Sequence, residues 1–179
     1  MNLIRKFRRY IKKLRLQKLR KHGMQFEDDL SLMSWPDFGS EPYNIKIGKH
    51  VRICSGVKFI THDGSTWVFR DKERYQHVVR FGIIEIRDNC FIGDNVTILP
   101  NVIIGENSII GTGAVVAKDI PAGSVAVGVP AHVISTTKEF AEKCLIELPE
   151  YNHEEYFRRP QYWKKYIAQK RREQGINIQ

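Results

Sequence analysis

The sequence predicts an all-β fold built as a coil of short parallel strands, with flanking α-helices at both ends and one long protruding loop. Three observations lead to this prediction. An aliphatic residue recurs at every sixth position in the middle of the chain, the register of this repeat is broken once, and both ends carry helical patterns instead. The length of 179 residues is sufficient for one such domain with appendages.

The six-residue repeat is the strongest signal in the sequence. Its aliphatic positions are Ile86, Ile92, Ile98, Ile104, Ile110 and Val116. The fourth residue after each of these is also small or aliphatic: Cys90, Val96, Val102, Ser108, Ala114 and Ile120. The same phase appears upstream at Ile47, Ile53 and Phe59. A period of six fits neither a helix, which repeats every 3.6 residues, nor an alternating strand.

A chain that turns a corner at every repeat does fit this period, since three short strands then complete one triangular coil. Gly and Asn tolerate the backbone angles of tight corners. They recur near the expected corners at Gly48, Asn89, Gly93, Asn95, Gly105, Asn107 and Gly111. Stacking of successive coils about 4.8 Å apart would bury the aliphatic positions. The alternative is an antiparallel sandwich in which the spacing arose by chance.

Residues Ile86–Pro130, with their I-G-x-N-V turns and the ending V-A-K-D-I-P-A-G-S-V-A-V-G-V-P-A, resemble the hexapeptide-repeat acyltransferases. That family includes sugar and surface-polysaccharide O-acetyltransferases and the galactoside, maltose and chloramphenicol acetyltransferases. The resemblance covers about residues 41–135. It implies a left-handed parallel β-helix, a homotrimer and acetyl-coenzyme A as co-substrate, with no metal required. The activity it implies is acetylation of a sugar hydroxyl.

The repeat loses its phase between Phe59 and Ile86, because the gap of 27 is not a multiple of six. A loop of about residues 63–82 must therefore leave the coil, and long loops in compact domains are often functional. Acyl transfer to a hydroxyl needs a base, and histidine is largely neutral at cytosolic pH. Of six histidines, His62 stands where the loop opens, within a T-H-D-G segment that resembles the family's general-base motif. The alternative is a turn histidine bonded locally to the backbone.

Two acids are candidates for orienting His62. Asp63 is adjacent, although neighbouring residues on a strand point to opposite faces unless the chain turns at Gly64. Glu85 is the second candidate, since stacking of coils could bring it near. In the loop, Trp67 and Arg70 are candidates for binding the acceptor, because aromatic faces pack well on sugar rings. The alternative for Trp67 is a loop anchor buried against a neighbouring subunit.

The donor site is inferred from the rows of turn N–H groups in a stacked coil, which could bind the amides of pantetheine. Alignment with the family implicates one set of residues in binding acetyl-coenzyme A: Phe91, Asp94, Gly111, Thr112, Ala117 and Lys118. Lys118 is the candidate for a phosphate contact. Many relatives carry Lys or Arg after G-V-P-A, where this chain has His132, so a 3′-phosphate contact there is weaker.

The charge is concentrated at the N-terminus. Lys and Arg number 29 against 20 Asp and Glu, but ten of the basic residues and no acid lie between Met1 and His22. The rest of the chain is nearly neutral, which disfavours a basic nucleic-acid-binding fold. Residues 1–24 are predicted to form a basic amphipathic helix with Ile4, Phe7, Ile11 and Leu14 on one stripe. It either contacts an anionic membrane surface or docks on its own trimer.

Helices are also predicted at residues 137–146 and 153–174, within a C-terminal extension of residues 136–179. Three cysteines without C-x-x-C spacing indicate reduced thiols and a cytoplasmic protein. A γ-type carbonic anhydrase needs zinc-binding histidines, two of them five residues apart. No two histidines of this chain have that spacing, so this class is excluded. Two alternatives stay open: N-acetylation of an amino-sugar nucleotide, and a non-catalytic trimeric scaffold or membrane-associated assembly protein.

Overall fold

The structure is a computed structural model that describes residues 3–147, 160–173 and 175. The chain divides into two compact units, residues 1–140 and 141–179. The first unit contains helix α1 (Leu3–Lys21) and all fifteen strands of the described residues. Helix α2 (Thr137–Glu147) begins in the first unit, and helix α3 (Pro160–Glu173) belongs to the second. The predicted helix at 137–146 is confirmed, while residues 153–159 of the next one lie outside the described residues.

Strands of two to five residues form three sheets, one for each side of a triangular coil. The first sheet contains β1 (Gln25–Phe26), β3 (Ile45–Ile47), β8 (Ile84–Ile86) and β11 (Val102–Ile104). The second contains β2 (Ser31–Leu32), β4 (Arg52–Ile53), β9 (Phe91–Ile92), β12 (Ile109–Ile110), β14 (Ser124–Val127) and β15 (His132–Thr136). The third contains β5 (Lys58–Phe59), β10 (Thr97–Ile98) and β13 (Val115–Val116). All pairings within these sheets are parallel except β14 with β15, which closes the coil with an antiparallel hairpin.

The strand register confirms the six-residue interpretation. Ile84 pairs with Val102 on the next coil, so one coil takes up three repeats. The same step separates Asn89 from Asn107, whose side chains are hydrogen bonded although they are 18 residues apart. The inward-pointing side chains are 2% exposed or less: Ile47, Ile53, Phe59, Ile86, Ile92, Ile98, Ile104, Ile110 and Val116. A single coil has no interior of its own, so this core exists only because coils stack.

Asn and Gly at the corners have different tasks. Asn89, Asn95, Asn101 and Asn107 adopt positive φ of 56–60°, a region that Asn tolerates better than most residues. The glycine at Gly93 has ordinary φ but lies against the next coil, where an added Cβ would meet the Thr112 nitrogen at 2.7 Å. The Asn residues therefore shape the corners, and this glycine permits close stacking.

The coil begins earlier than the predicted start at residue 41. Strand β1 pairs with β3, and β2 pairs with β4, so residues 25–38 form a first coil that stacks on the second. Its inward positions are Met24, Leu30 and Pro36, again at every sixth position and buried. The residues in register with Ile47, Ile53 and Phe59 are Phe26, Leu32 and Phe38. The pattern escaped notice because each of these pairs is 21 residues apart, which is not a multiple of six, so the first coil is out of phase with the later ones.

The predicted loop leaves the coil after β5. Lys46 and Glu85 are register partners on neighbouring coils although they are 39 residues apart, so the excursion takes up more chain than a whole regular coil. It contains a two-stranded hairpin of β6 (His62–Asp63) with β7 (Arg80–Phe81) and two 3₁₀ turns, Gly64–Phe69 and Glu73–Tyr75. The antiparallel hairpin fixes the base of the loop against the coil.

Helix α1 packs against the first coil. Leu16 and Leu19 contact the core, Lys12 Nζ donates to the Leu32 carbonyl at 3.2 Å, and the Arg20 guanidinium stacks on Phe26. Of the predicted stripe, Phe7 and Leu14 are exposed and Ile11 is half-buried, while the Ile4 side chain lies outside the described residues. The helix thus docks on its own chain through a face that the sequence did not single out.

Candidate active site

His62 begins the strand that leaves the coil, directly after the buried Thr61. Its side chain is 48% exposed, and its Nδ1 lies 2.9 Å from Oε2 of Glu41. Phe81 is its partner across the hairpin. The Phe81 ring and the His62 imidazole are in an edge-to-face arrangement, with their centroids 6.3 Å apart. One face of the imidazole is thereby supported, and one nitrogen is held by a carboxylate.

Glu41 is fixed from two sides. Its carboxylate oxygen also accepts a hydrogen bond from Thr61 Oγ1 at 2.7 Å, and its side chain is only 14% exposed. The Thr61 hydroxyl, followed by His62, holds the pKa of Glu41 below its ordinary value. An ionised carboxylate can only accept hydrogen bonds, so Nδ1 of His62 carries the proton that it donates to Glu41. Nε2 then has a free lone pair.

Sequence reasoning missed Glu41, because it precedes the segment in which the repeat was recognised. The signal that could have found it is the number of residues between equivalent positions on the first two coils, which is 21 instead of the 18 of a regular coil. Asp37 bridges Lys58 on the next coil, and the same step relates Glu41 to His62, which are 21 residues apart. Equivalent positions on stacked coils lie about 4.8 Å apart, within reach of a glutamate side chain.

Asp63 holds the loop in shape. Its Oδ1 accepts from the Ser65 amide at 2.9 Å at the start of a 3₁₀ turn, and its Oδ2 accepts from Arg80 across the hairpin at 3.3 Å. Hydrogen bonding by Ser65, with a smaller contribution from Arg80, lowers the pKa of Asp63. The chain does turn at Gly64, yet the carboxylate is engaged by the loop, and it is Glu41 that contacts the His62 ring.

Glu85 is not brought to His62 by the stacking of coils within one chain. It lies on β8 in the first sheet, where its carboxylate is 3.3 Å from Lys46 Nζ and 3.8 Å from Arg87 Nε. Lys46 and Glu85 are register partners on neighbouring coils. The prediction that Glu85 orients His62 is therefore replaced by Glu41, and Glu85 forms a surface ion-pair cluster.

The two candidate acceptor residues differ in exposure. Trp67 is 79% exposed in the first 3₁₀ turn of the loop, and its indole is available to a ligand or to a neighbouring subunit. Arg70 is half-buried and donates from Nε to the Val78 carbonyl at 3.1 Å, so part of its guanidinium stabilises the loop.

The residues predicted to bind the donor fall on different parts of the coil. Phe91 is exposed on the second sheet, where it lines a cleft of about 640 Å³ with His50, Arg52 and Asn107. Asp94, Gly111 and Thr112 lie at the corner between the second and third sheets, and Ala117 and Lys118 follow the third sheet at the next corner. His132 is exposed on β15, with Nδ1 3.4 Å from the Pro130 carbonyl.

Some of these donor candidates are already engaged in stacking. The Gly111 amide donates to the Ala126 carbonyl at 2.8 Å, and the Asp94 carboxylate accepts from the Ser55 amide at 2.8 Å. The Gly111 amide is therefore not free for a pantetheine arm, whereas the second oxygen of the Asp94 carboxylate is a further acceptor. Thr112, Ala117 and Lys118 are exposed. The register puts Lys118 in the same column as Thr61, two coils away, which corresponds to roughly 10 Å.

In the described part of the chain, no three His, Cys, Asp or Glu side chains are arranged to hold a metal ion. No helix in those residues is both long and apolar enough to cross a bilayer. Cys54, Cys90 and Cys144 are unpaired.

A stacked three-sided coil whose inward positions recur at every sixth residue is the architecture of a hexapeptide-repeat transferase. The family model for the bacterial transferase hexapeptide (six repeats) matches residues 84–118. Protein CapG of Staphylococcus aureus is 47% identical over 130 residues, which cover 72% of this chain and 74% of that protein. This protein therefore belongs to the hexapeptide-repeat family and is an acyltransferase.

A solved structure is similar in fold. The hexapeptide-repeat-containing acetyltransferase of Vibrio cholerae superposes with a TM-score of 0.53 at 21% identity, covering 69% of this chain and 80% of its own. At this level of identity the similarity concerns the fold, and it agrees with the stacked three-sided coil described above.

Proposed function

We propose that this acyltransferase transfers an acetyl group from acetyl-coenzyme A to a sugar hydroxyl, with His62 as the general base. The observation that carries the proposal is the Thr61–Glu41–His62 chain of hydrogen bonds. It fixes the tautomer of a half-exposed imidazole, so that Nε2 faces away from the carboxylate as a proton acceptor. A turn histidine bonded only to backbone would not need a nearly buried acid.

The chemistry assigned to these residues is simple proton transfer. Nε2 of His62 takes the proton of the acceptor hydroxyl as its oxygen attacks the thioester carbonyl. The imidazolium that forms is stabilised by the ionised Glu41 across the 2.9 Å contact. The same proton then passes to the sulfur of the leaving thiolate, which restores neutral His62. Acetyl-coenzyme A supplies the activated acyl group.

Acetyl-coenzyme A is extended and anionic, and we infer that it lies along the corner of the coil where Thr61 and Lys118 occupy equivalent positions. Lys118 offers an exposed ammonium roughly two coils, or about 10 Å, from the site of chemistry. Ala117 leaves the edge beside it free of bulk, and Thr112 offers a hydroxyl at the neighbouring corner. We therefore infer that Lys118, rather than the engaged Gly111 amide, is the main polar contact of the donor.

We infer that the coil is left-handed and that the active unit is a homotrimer, as family membership implies. Exposed apolar side chains of the loop and its base support a shared groove, since Trp67, Val68 and Phe81 are at least half exposed in one chain. Trp67 is then the platform for the sugar ring, with Arg70 holding the loop that carries it. We also infer a cytoplasmic location, which the three unpaired cysteines support.

The experiment is a steady-state assay of thiol release over a panel of sugar acceptors, with parallel amino-sugar acceptors to separate O- from N-acetylation. His62→Ala should lower kcat by about 10²–10⁴-fold, the usual contribution of a positioned base. Its affinity for acetyl-coenzyme A should change little, because Lys118 does not contact the imidazole.

His77→Ala is the matched control, because His77 is exposed in the same loop but has no carboxylate partner among the residues that the structure describes. Near-normal turnover of His62→Ala would rule out the mechanism. A large loss in His77→Ala alone would move the base to that residue.

A further inference from the structure

Helix α1 carries a second apolar stripe on the side opposite to the one that docks. Leu16 and Leu19 pack on the core, whereas Phe7, Tyr10 and Leu14 are 64%, 59% and 42% exposed. The spacing of these three, at i, i+3 and i+7, puts them on one helical face. The helix is thus held in place by one face, while no other residue that the structure describes covers its separate aromatic and aliphatic face.

The first coil extends this surface. Met33 and Trp35 are 64% and 37% exposed beside the helix, and with Phe7 they border a shallow groove of about 470 Å³. We call the exposed set Phe7, Tyr10, Leu14, Met33 and Trp35 the outer patch. Large exposed apolar patches on a soluble domain mark sites of interaction rather than packing accidents.

Charge selects the occupant of the outer patch. Residues 1–22 contain ten Lys and Arg and no acid, and the remaining chain is close to neutral. Lys6, Lys13 and Lys18 are exposed and lie three or four residues from Tyr10 or Leu14 on the helix. A second copy would bring the same positive helix and be repelled. A dense negative surface with an apolar interior matches both the charge and the patch.

We propose that α1, docked on the coil through Leu16 and Leu19, binds an anionic lipid surface through the outer patch and its surrounding lysines. The aromatic and aliphatic side chains enter the boundary between headgroups and acyl chains, and the lysines contact lipid phosphates. The catalytic coil is then held at the membrane. This inference does not depend on the acceptor or on the general base.

The test is sedimentation of the full-length protein with vesicles of phosphatidylcholine alone and of phosphatidylcholine mixed with phosphatidylglycerol. The wild type should bind the mixed vesicles only, and binding should weaken as salt rises. The variant Phe7→Ser, Tyr10→Ser, Leu14→Ser should bind at least about tenfold more weakly. Lys6→Gln, Lys13→Gln, Lys18→Gln should lose about a hundredfold, at roughly fivefold for each charge removed near the surface.

The control Ile103→Ser, Ile134→Ser removes two exposed apolar side chains from the coil and should bind like the wild type. Absence of wild-type binding to mixed vesicles would overturn the proposal, as would equal binding by the patch variant. A change of oligomeric mass in the patch variant would mean that another copy covers the stripe, which also overturns it. So would single-stranded RNA displacing the vesicles while binding the patch variant as tightly as the wild type. Thermal unfolding of each variant verifies that it is folded.

Discussion

Replacing Glu41 by Gln tests the one contact that the sequence did not predict. The amide keeps the shape of the side chain and an oxygen for the Thr61 hydroxyl, but it removes the negative charge beside Nδ1 of His62. At 2.9 Å, the attraction between that charge and a transient imidazolium is about 1.4 kcal/mol at the dielectric of water and about twice that at half this dielectric. Since about 1.36 kcal/mol is a factor of ten in rate, kcat should fall about 10–100-fold.

The assay is the pH profile of kcat/KM for the wild type, Glu41→Gln and Glu85→Gln. A positioning role predicts that the Glu41→Gln profile is lower across the whole pH range, because the imidazolium formed during the reaction loses its neighbouring negative charge. Glu85→Gln is the matched control, since it removes the same charge from the ion pair with Lys46 and should leave the profile unchanged. Activity of Glu41→Gln within twofold of the wild type, or equal losses in both variants, would refute this reasoning.

Three further results are expected. The pKa of Glu41 is lowered in the folded protein, so its ionised form stabilises the fold above the ordinary glutamate pKa of about 4.3. The difference in urea-unfolding free energy between the wild type and Glu41→Gln should therefore narrow as the pH falls below that value. Asn107→Ala should destabilise the coil by about 1–3 kcal/mol, because φ is 58° and the side chain accepts from Asn89, while Asn107→Gly should cost less in the same urea titration. Thr66→Val should raise the melting temperature by about 2–4 °C, since its buried hydroxyl finds no partner among the described residues, and a lower melting temperature would contradict this.

The sequence alone determined the parts of this protein that repeat. The period of six identified the inward side chains from Ile47 to Val116, because each coil presents the same environment to the same position. It also located the loop, since a break of register must leave the coil, and it singled out His62 at that break. The corner role of Asn89, Asn95 and Asn107 followed from a local backbone preference that needs no tertiary contact.

Only the tertiary structure decided which groups meet. Asp63 and Glu85 were candidates by adjacency and by stacking, yet Asp63 is held by Ser65 and Arg80, and Glu85 by Lys46 and Arg87. Glu41 reaches His62 because the first coil is longer than the later ones, an offset visible only once β1 is paired with β3. The structure also decided which face of α1 packs on the coil. Helical spacing shows that apolar residues share a stripe, but it does not show which stripe the coil covers. Side-chain partners depend on how coils stack, and that information is not local to the residues involved.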